Sequence, residues 1–551
     1  MTTRKPSWFE NDAALQRVLA RQLGPTFEKA RPRLARMGDA VANEGARWGH
    51  EADHHGPRLV THDHTGARID EIDYHHSYRE LQRLGYGGGI VAATYNPALA
   101  AERGHAAKAL TFGLGYLFGQ AEAGMFCPVC MTDGAARLLV KHGTPELQQR
   151  FVPRLSSTDP STLFTGAMFL TEKAGGSDVG QISTVAKGGA GVPGERVTLW
   201  GEKWFCSNVD ADVIMILARP EGAGPGTRGL GLYVLPRTLE NGKRNAFRID
   251  RIKDKLGERS FPTGEVTLEG AEAWLLGGPG QGFHQMAEML NLSRLYNAIA
   301  SVAVMRRSVI EALDWAEQRV AFGKKIIEHP LLAEALLDMA SEQRLSLLWA
   351  FRGVQLMDAL DSGQSTETER RTLRMLTPLL KYVLGKWAVR VASEGVEVLA
   401  GNGYIEDWPM ARVLRDAQVL PIWEGTTNIL VLDAFRALRK EGGHEVLFAE
   451  VEAFAAEAPE DVKARVGALL DEAKQALAEL TQDPRGEHAF RDWTDRAALL
   501  WMVTTACAKS LGHGTEADLR AARRVLARHA PQGLLRKDRA SADEVRMVAF
   551  R

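Results

Sequence analysis

At 551 residues the chain is too long for a single core; at ~100–200 residues per domain it should form three or four packed units. A formal charge of -1, with 45% hydrophobic and 25% charged residues, is ordinary for a soluble globular protein and excludes a global field that would gather nucleic acid or acidic surfaces. Four cysteines exclude a disulfide framework, and "MTTRKPSWFENDAALQ" lacks the apolar core of a signal peptide, so a reducing, cytoplasmic setting is expected.

In chain order, residues 1–162 carry mostly helical spacing broken by turns. One helix in "SYRELQRLGYGGGIVAATY" ends at the Gly85–Gly89 cluster, and "GTPELQQRFVPRL" offers Thr144 as N-cap with Pro145 in the first helical position. Residues 163–278 read as an antiparallel β unit of short apolar runs ("RVTLWG", "DVIMILAR", "GLGLYVLPR"), with Lys187–Glu195 as a hairpin tip. Helical spacing returns over residues 279–440, where Val302, Val309, Leu313, Ala316 and Val320 mark one face. A helical extension follows over 441–551, with a stripe at Val462, Val466, Leu469, Ala473, Leu477 and Leu480. No run reaches the ~18 apolar residues of a membrane span; "AALLWMVTTACAKSL" comes nearest and reads as a buried helix.

Several stretches carry the chemistry. In "FLTEKAGGSDVG", Thr171 and Ser177 offer hydroxyls and Gly175–Gly176 allow close backbone approach. In "KWFCSN", Phe205 and Ser207 fall on one strand face, a flat ring beside a hydrogen-bonding group, which suits a flavin. In "EQRVAFGKKI", Arg319 can grip a pyrophosphate, and in "EVLAGNGYIEDW" Gly401 and Gly403 let a nucleotide approach. "VLPIWEGTTNIL" sets a lone carboxylate, Glu424, after an apolar approach, where poor solvation raises a carboxyl towards the range of a general base.

Taken in this order, these motifs resemble the acyl-CoA dehydrogenase family of FAD flavoproteins over about Gly85 to Leu438. Lys173 within "TEKAGGSDV", the stretches "GKRNAFRIDRIKDKLGERS" and "WLLG", and the C-terminal extension are similar to its AidB branch. The resemblance implies an α+β fold: an N-terminal helical domain, a central antiparallel β domain, and a C-terminal four-helix bundle plus the extension. It implies FAD, an acyl-CoA substrate, α-proton removal by Glu424 and β-hydride transfer to the flavin. Thr171, Phe205 and Ser207 match flavin-lining positions, and Ser177 a position near the coenzyme A or FAD phosphates. Arg319 and Phe322 match an R-x-x-F-G motif that holds pyrophosphate across a dimer contact. Glu397 and Gly401 match the nucleotide-binding segment, with Glu397 where the family often has Gln. Thr426 and Asn428 match FAD contacts, Gly425 keeps the base's backbone clear, and Arg294 matches an arginine positioning the thioester. Asn291 stands where many members have Asp, and Phe205 where Trp is common. A homotetramer and an electron-transfer flavoprotein as acceptor are also implied. The arginine-rich Arg520–Arg551 reads first as a solvated amphipathic helix; because some members of the AidB branch bind DNA, the resemblance also raises a nucleic-acid role for it.

Other signals read as structural. "CPVC" (Cys127–Cys130) lacks the second pair that zinc requires. Seven of the 15 histidines fall between His50 and His76 without a metal-binding register and read as a solvated loop; no metal is expected. "GGPGQGF" reads as a turn into the next helix.

Overall fold

The computed structural model describes residues 6–482, 486–531 and 540–551. Among these, the helices of nine or more residues are α1 (Ala13–Leu23), α2 (Phe27–Ala40), α3 (Ala46–His54), α4 (His76–Gly87), α5 (Ala107–Ala121), α6 (Ala123–His142), α7 (Pro145–Leu155), α8 (Gly282–Gln318), α9 (Pro330–Asp361), α10 (Glu367–Leu399), α11 (Pro409–Ala417), α12 (Thr427–Glu441), α13 (Gly443–Ala456), α14 (Glu460–Gln482), α15 (Phe490–Cys507), α16 (Glu516–His529) and α17 (Ala542–Phe550). The chain packs as two compact units. One comprises Asn43–Ala100 and Ala121–Ser293; the other comprises Met1–Ala42, Ala101–Gln120 and Arg294–Arg551.

The first unit is built on β1 (Arg58–His62), β2 (Arg68–Asp73), β3 (Gly166–Phe169), β4 (Val185–Lys187), β5 (Arg196–Ser207), β6 (Val213–Pro220), β7 (Gly231–Pro236), β8 (Phe247–Ile252) and β9 (Thr263–Leu276). Strands β3 to β9 form one sheet in the order β3-β6-β4-β5-β9-β7, with β8 on β9; because β7 also pairs β6, five strands close a circuit. Within it, Val213 to Ala218 are all buried, as a continuous apolar run must be when both faces are covered. The sheet is not purely antiparallel, as its punctuated runs suggested: β3 and β4 both run parallel to β6. Alternation along a strand reports which face is buried, not the direction of the neighbouring strand, which longer connections decide. Helix α6 packs on β3.

Two readings of the N-terminal stretch change. The histidine-rich segment is not a loop: it forms α3, the antiparallel β1–β2 hairpin and the start of α4, with His75 capping Ser77 N–H. The hairpin turn is set by Asp63, whose Oδ1 accepts from Thr65 N at 2.8 Å and Ala67 N at 3.0 Å. Helix α6 is long and apolar enough to cross a membrane, yet 89% of its apolar window is buried within the protein, which makes it a core helix. Cys127 and Cys130 lie on it with no disulfide between them, and Cys130 Sγ donates to Ser293 Oγ at 3.3 Å.

The second unit is helical. In it α9 packs on α10, with α12 against α10 and with α15, α16 and α17 against α9, while Leu295 and Ser308 of α8 lie close to Gly353 of α9 and Gly395 of α10. Ser301 to Leu313 of α8 are buried at every position, so the single apolar face expected there understates its burial; neighbours cover it on all sides. Val320 lies past the helix, in the two-residue strand β10 (Val320–Ala321), paired with β11 (Lys324–Lys325), and is 59% exposed. Helix α10 starts on a capping box: Thr366 Oγ1 accepts from Glu369 N at 3.1 Å, and Glu369 Oε2 from Thr366 N at 2.8 Å. Thr366→Ala should therefore lower stability by about 1 kcal/mol, read as a shift in denaturant midpoint at constant slope.

The arginines of α16 are paired rather than left to solvent alone, although Arg520 and Arg523 remain exposed. Arg523 pairs with Asp461 (2.6 Å), Arg520 with Glu544 (2.9 Å), and Arg524 and Arg528 both with Asp338. Beyond it, Arg546 of α17 pairs with Glu317. Much of the arginine charge singled out in Arg520–Arg551 is thus matched by the protein's own carboxylates; residues 532–539 of that run lie outside the described residues.

Candidate active site

Glu424 sits in the turn between α11 and α12 with φ 59°, a left-handed backbone that few non-glycine residues adopt and that costs about 1–3 kcal/mol. Gly425 follows at φ 105°. Two cations hold this turn, one at each of its successive carbonyls. Arg294 Nε of α8 donates to Glu424 O at 3.2 Å, and Lys381 Nζ of α10 donates to Gly425 O at 2.5 Å. Glu424 Oε2 is buried without a hydrogen-bond partner, as is Trp423 Nε1 beside it. Burial pushes the Glu424 carboxyl up to about 7, with Lys381 and Arg294 partly opposing the rise. Burial likewise pulls the Lys381 ammonium down to about 7, against the pull of Glu424. Arg294 is anchored at its other end by Asp433 of α12 (2.6 Å), which also takes Arg374 (2.7 Å), and the two guanidinium groups hold Asp433 below the usual carboxylate range despite its burial.

The remaining candidates of the helical unit lie elsewhere on it. Thr426 is the N-cap residue of α12, with no side-chain cap bond, and Asn428 is exposed in the first turn. Arg319 lies just past α8, roughly 37 Å along the helix axis from Arg294 at 1.5 Å per residue. Its guanidinium lies 5.9 Å from the Trp315 ring and makes no ion pair among the described residues. Phe322 is 95% exposed at the tip of the β10–β11 hairpin. Glu397 and Gly401 are both exposed, at the end of α10 and just beyond it.

In the sheet unit, the Thr171 carbonyl accepts from Trp204 N at 2.9 Å, tying the "TEKAGG" loop to β5. A bulge between Lys203 and Cys206 re-aims this strand: Lys203 and Cys206 point inward, while Phe205 is 55% exposed and Ser207 half-buried, 3.4 Å from Thr263 Oγ1. Gly176 packs on Thr171, where a Cβ would come within 2.6 Å of Oγ1. Ser177 is exposed. Beneath the loop, the fully buried Lys203 Nζ pairs with Glu172 Oε1 at 2.8 Å and donates to Leu217 O at 3.0 Å. Glu172 also accepts from Ser183 and Thr184, through both backbone and hydroxyl.

Six non-glycine residues among those described have positive φ. Glu424 and Phe322 are themselves candidates, while Asn208 and Ala400 adjoin Ser207 and Gly401. Strain of this kind concentrates where a site over-determines the backbone.

Lys381, Asp433, Arg374 and the Glu172–Lys203 pair were not singled out from sequence. Their one local signal is a lone charge in an apolar helical run, as in "TPLLKYVLG", or inside a strand, as in "EKWF". Among the described residues no group of three or more His, Cys, Asp or Glu is placed to hold a metal.

Three stretches match known domain families: the AidB N-terminal domain over 2–160, the acyl-CoA dehydrogenase middle domain over 167–271 and the acyl-CoA dehydrogenase C-terminal domain over 280–438. Acyl-CoA dehydrogenase family member 11 of Caenorhabditis elegans is 36% identical over 80% of this chain and 72% of its own. The chain belongs to the acyl-CoA dehydrogenase family of oxidoreductases. Within it, the N-terminal match places it on the AidB-like branch, and the putative acyl-CoA dehydrogenase AidB of Escherichia coli is 33% identical over 76% of each chain. The solved structure of C. elegans ACDH-11 in complex with C11-CoA superposes with a TM-score of 0.88 at 31% identity, covering 98% of this chain and 95% of that one.

Proposed function

We propose that the chain is an FAD-dependent enzyme that removes the α-proton and a β-hydride from an acyl-CoA thioester, with Glu424 as the base. The observation that supports this most directly is a buried carboxylate oxygen with no protein partner, on a strained turn held by two cations. A group whose proton affinity balances near neutrality takes a proton in the Michaelis complex and can release it afterwards. The Glu424 N–H makes no hydrogen bond among the described residues, so it is free to donate to the thioester oxygen as enolate character develops.

Each unit by itself offers groups that suit FAD. Phe205 offers an exposed ring, Thr171 and Ser207 offer hydroxyls, and Thr426 and Asn428 lie at the open first turn of α12. Arg319 carries a guanidinium with no ion pair among the described residues, suited to a pyrophosphate, and exposed Gly401 lets a nucleotide approach. Bound flavin supplies the hydride acceptor. Glu397 places a carboxylate in the nucleotide segment, where it can accept from an adenine amino group but would repel a phosphate. The nematode relative's complex with C11-CoA supports an acyl-CoA as ligand.

The distance between Arg294 on α8 and Arg319 just past its end is best explained if Arg319 serves the cofactor of another protomer in a homotetramer. Phe322, bare on the same hairpin, would be covered there. Phe322→Asp should shift the species seen by light scattering from tetramer to smaller forms; an unchanged tetramer would remove the hairpin from that contact. An electron-transfer flavoprotein in the cytoplasm is the acceptor this reading implies. A DNA-associated role is less favoured, because the α16 arginines are engaged by carboxylates.

Anaerobic titration of the purified, oxidised protein with acyl-CoAs from short branched to long straight tests the proposal. Bleaching of the flavin's visible absorbance is expected. Binding without bleaching across the panel would instead assign a sequestering role.

A further inference from the structure

Lys381 lies within α10, 44 residues before Gly425 in sequence. Its side chain is fully buried, which an ammonium tolerates only beside strong acceptors or opposite charge. Gly425 O is the acceptor at 2.5 Å, and Glu424 is the anion it senses; Lys381 forms no contact ion pair among the described residues. The other charges facing the pair are accounted for. Arg294 of α8 is tied to Asp433 of α12, Arg374 of α10 shares that carboxylate, and Lys386 of α10 adds a weaker repulsion. Both cations act on Glu424, but Asp433 offsets part of the Arg294 charge at contact distance, whereas Lys381 has no carboxylate at contact distance among the described residues.

We propose that Lys381 is a positioning residue for the base: its hydrogen bond to the Gly425 carbonyl pins the left-handed turn at Glu424 and Gly425 from its C-terminal side, and its charge favours the ionised Glu424 carboxylate. The proposal rests on the reading of Glu424 as base. Its two parts separate by substitution. Lys381→Gln keeps an N–H donor for Gly425 O but removes the charge, whereas Lys381→Met removes both.

Without the ammonium, Glu424 binds its proton more tightly. The acid limb of the pH profile of flavin reduction should then move to higher pH by about one unit or more in both variants. The limiting rate at high pH should fall further in Lys381→Met than in Lys381→Gln, because only Met frees the strained turn. A purely structural lysine would lower stability or rate without moving the limb, so an unmoved limb in a folded Lys381→Gln protein overturns the proposal.

A second readout needs no turnover. Infrared pH-difference spectra of the oxidised protein, with the Glu424 carboxyl band assigned by its loss in Glu424→Gln, give the same midpoint directly. A band that shifts on Lys381→Gln while no acyl-CoA bleaches the flavin would uphold the lysine–glutamate coupling and reject the dehydrogenase reading. A band that stays put while acyl-CoA still bleaches the flavin would do the reverse.

Discussion

Glu424→Gln should leave the protein folded and lower the rate of flavin reduction by an acyl-CoA by at least the 10²–10⁴-fold typical of losing a general base. Gln is nearly isosteric with Glu, and the substituted Oε2 has no hydrogen bond to lose, so the turn should survive. Stability has a definite sign. The Glu424 carboxyl is raised from 4.5 to about 7 in the folded protein, so its favourable contribution is complete below about 4.5 and is lost as pH rises through about 7. Above neutrality the variant should melt no lower than the parent, and the difference in its favour should grow between those two values. Stopped-flow bleaching and thermal melts over pH 5 to 8, on the same preparations, measure both effects. Retained bleaching in a folded Glu424→Gln protein would remove Glu424 from the chemistry.

Lys203→Met is the largest stability effect expected, about 3–5 kcal/mol, because it leaves the Glu172 carboxylate buried without its cation. Burial alone would raise Glu172; the charge and hydrogen bond of Lys203, with Ser183 and Thr184, outweigh it and hold the carboxyl at about 2. That stabilisation is present above the ordinary value of 4.5 and is lost as pH falls towards 2. Chemical denaturation at neutral and acid pH should show the parent–variant gap narrowing on acidification. Adding Glu172→Gln should recover part of the loss, since the pair then fails together rather than leaving one charge stranded. Because Glu172 adjoins Thr171, Lys203→Met should also weaken FAD retention on gel filtration. A normal flavin content in a destabilised variant would confine the pair to a structural role.

The order of elements and the identity of the motif residues were legible in the sequence. Helix starts such as Thr144–Pro145 announce themselves within one turn, and "IWEGTTNI" carries its acid, glycine and hydroxyls in a single run. Local spacing records how often a residue faces the interior, and that is enough to separate helices from strands. It does not record what a side chain meets there. Arg524 reads as a solvated helix charge, yet Asp338, 186 residues earlier, receives it. Lys381 reads as an interruption of an apolar helix, yet it holds the turn that carries Glu424. The parallel pairing of β3 and β4 with β6 was equally invisible, because nothing in a strand's own residues encodes its neighbour's direction. The sequence alone determined the order of domains and the family to which the motifs belong; only tertiary packing decides which buried charges face one another, since desolvation and Coulomb energies depend on distances in space that no spacing along the chain contains.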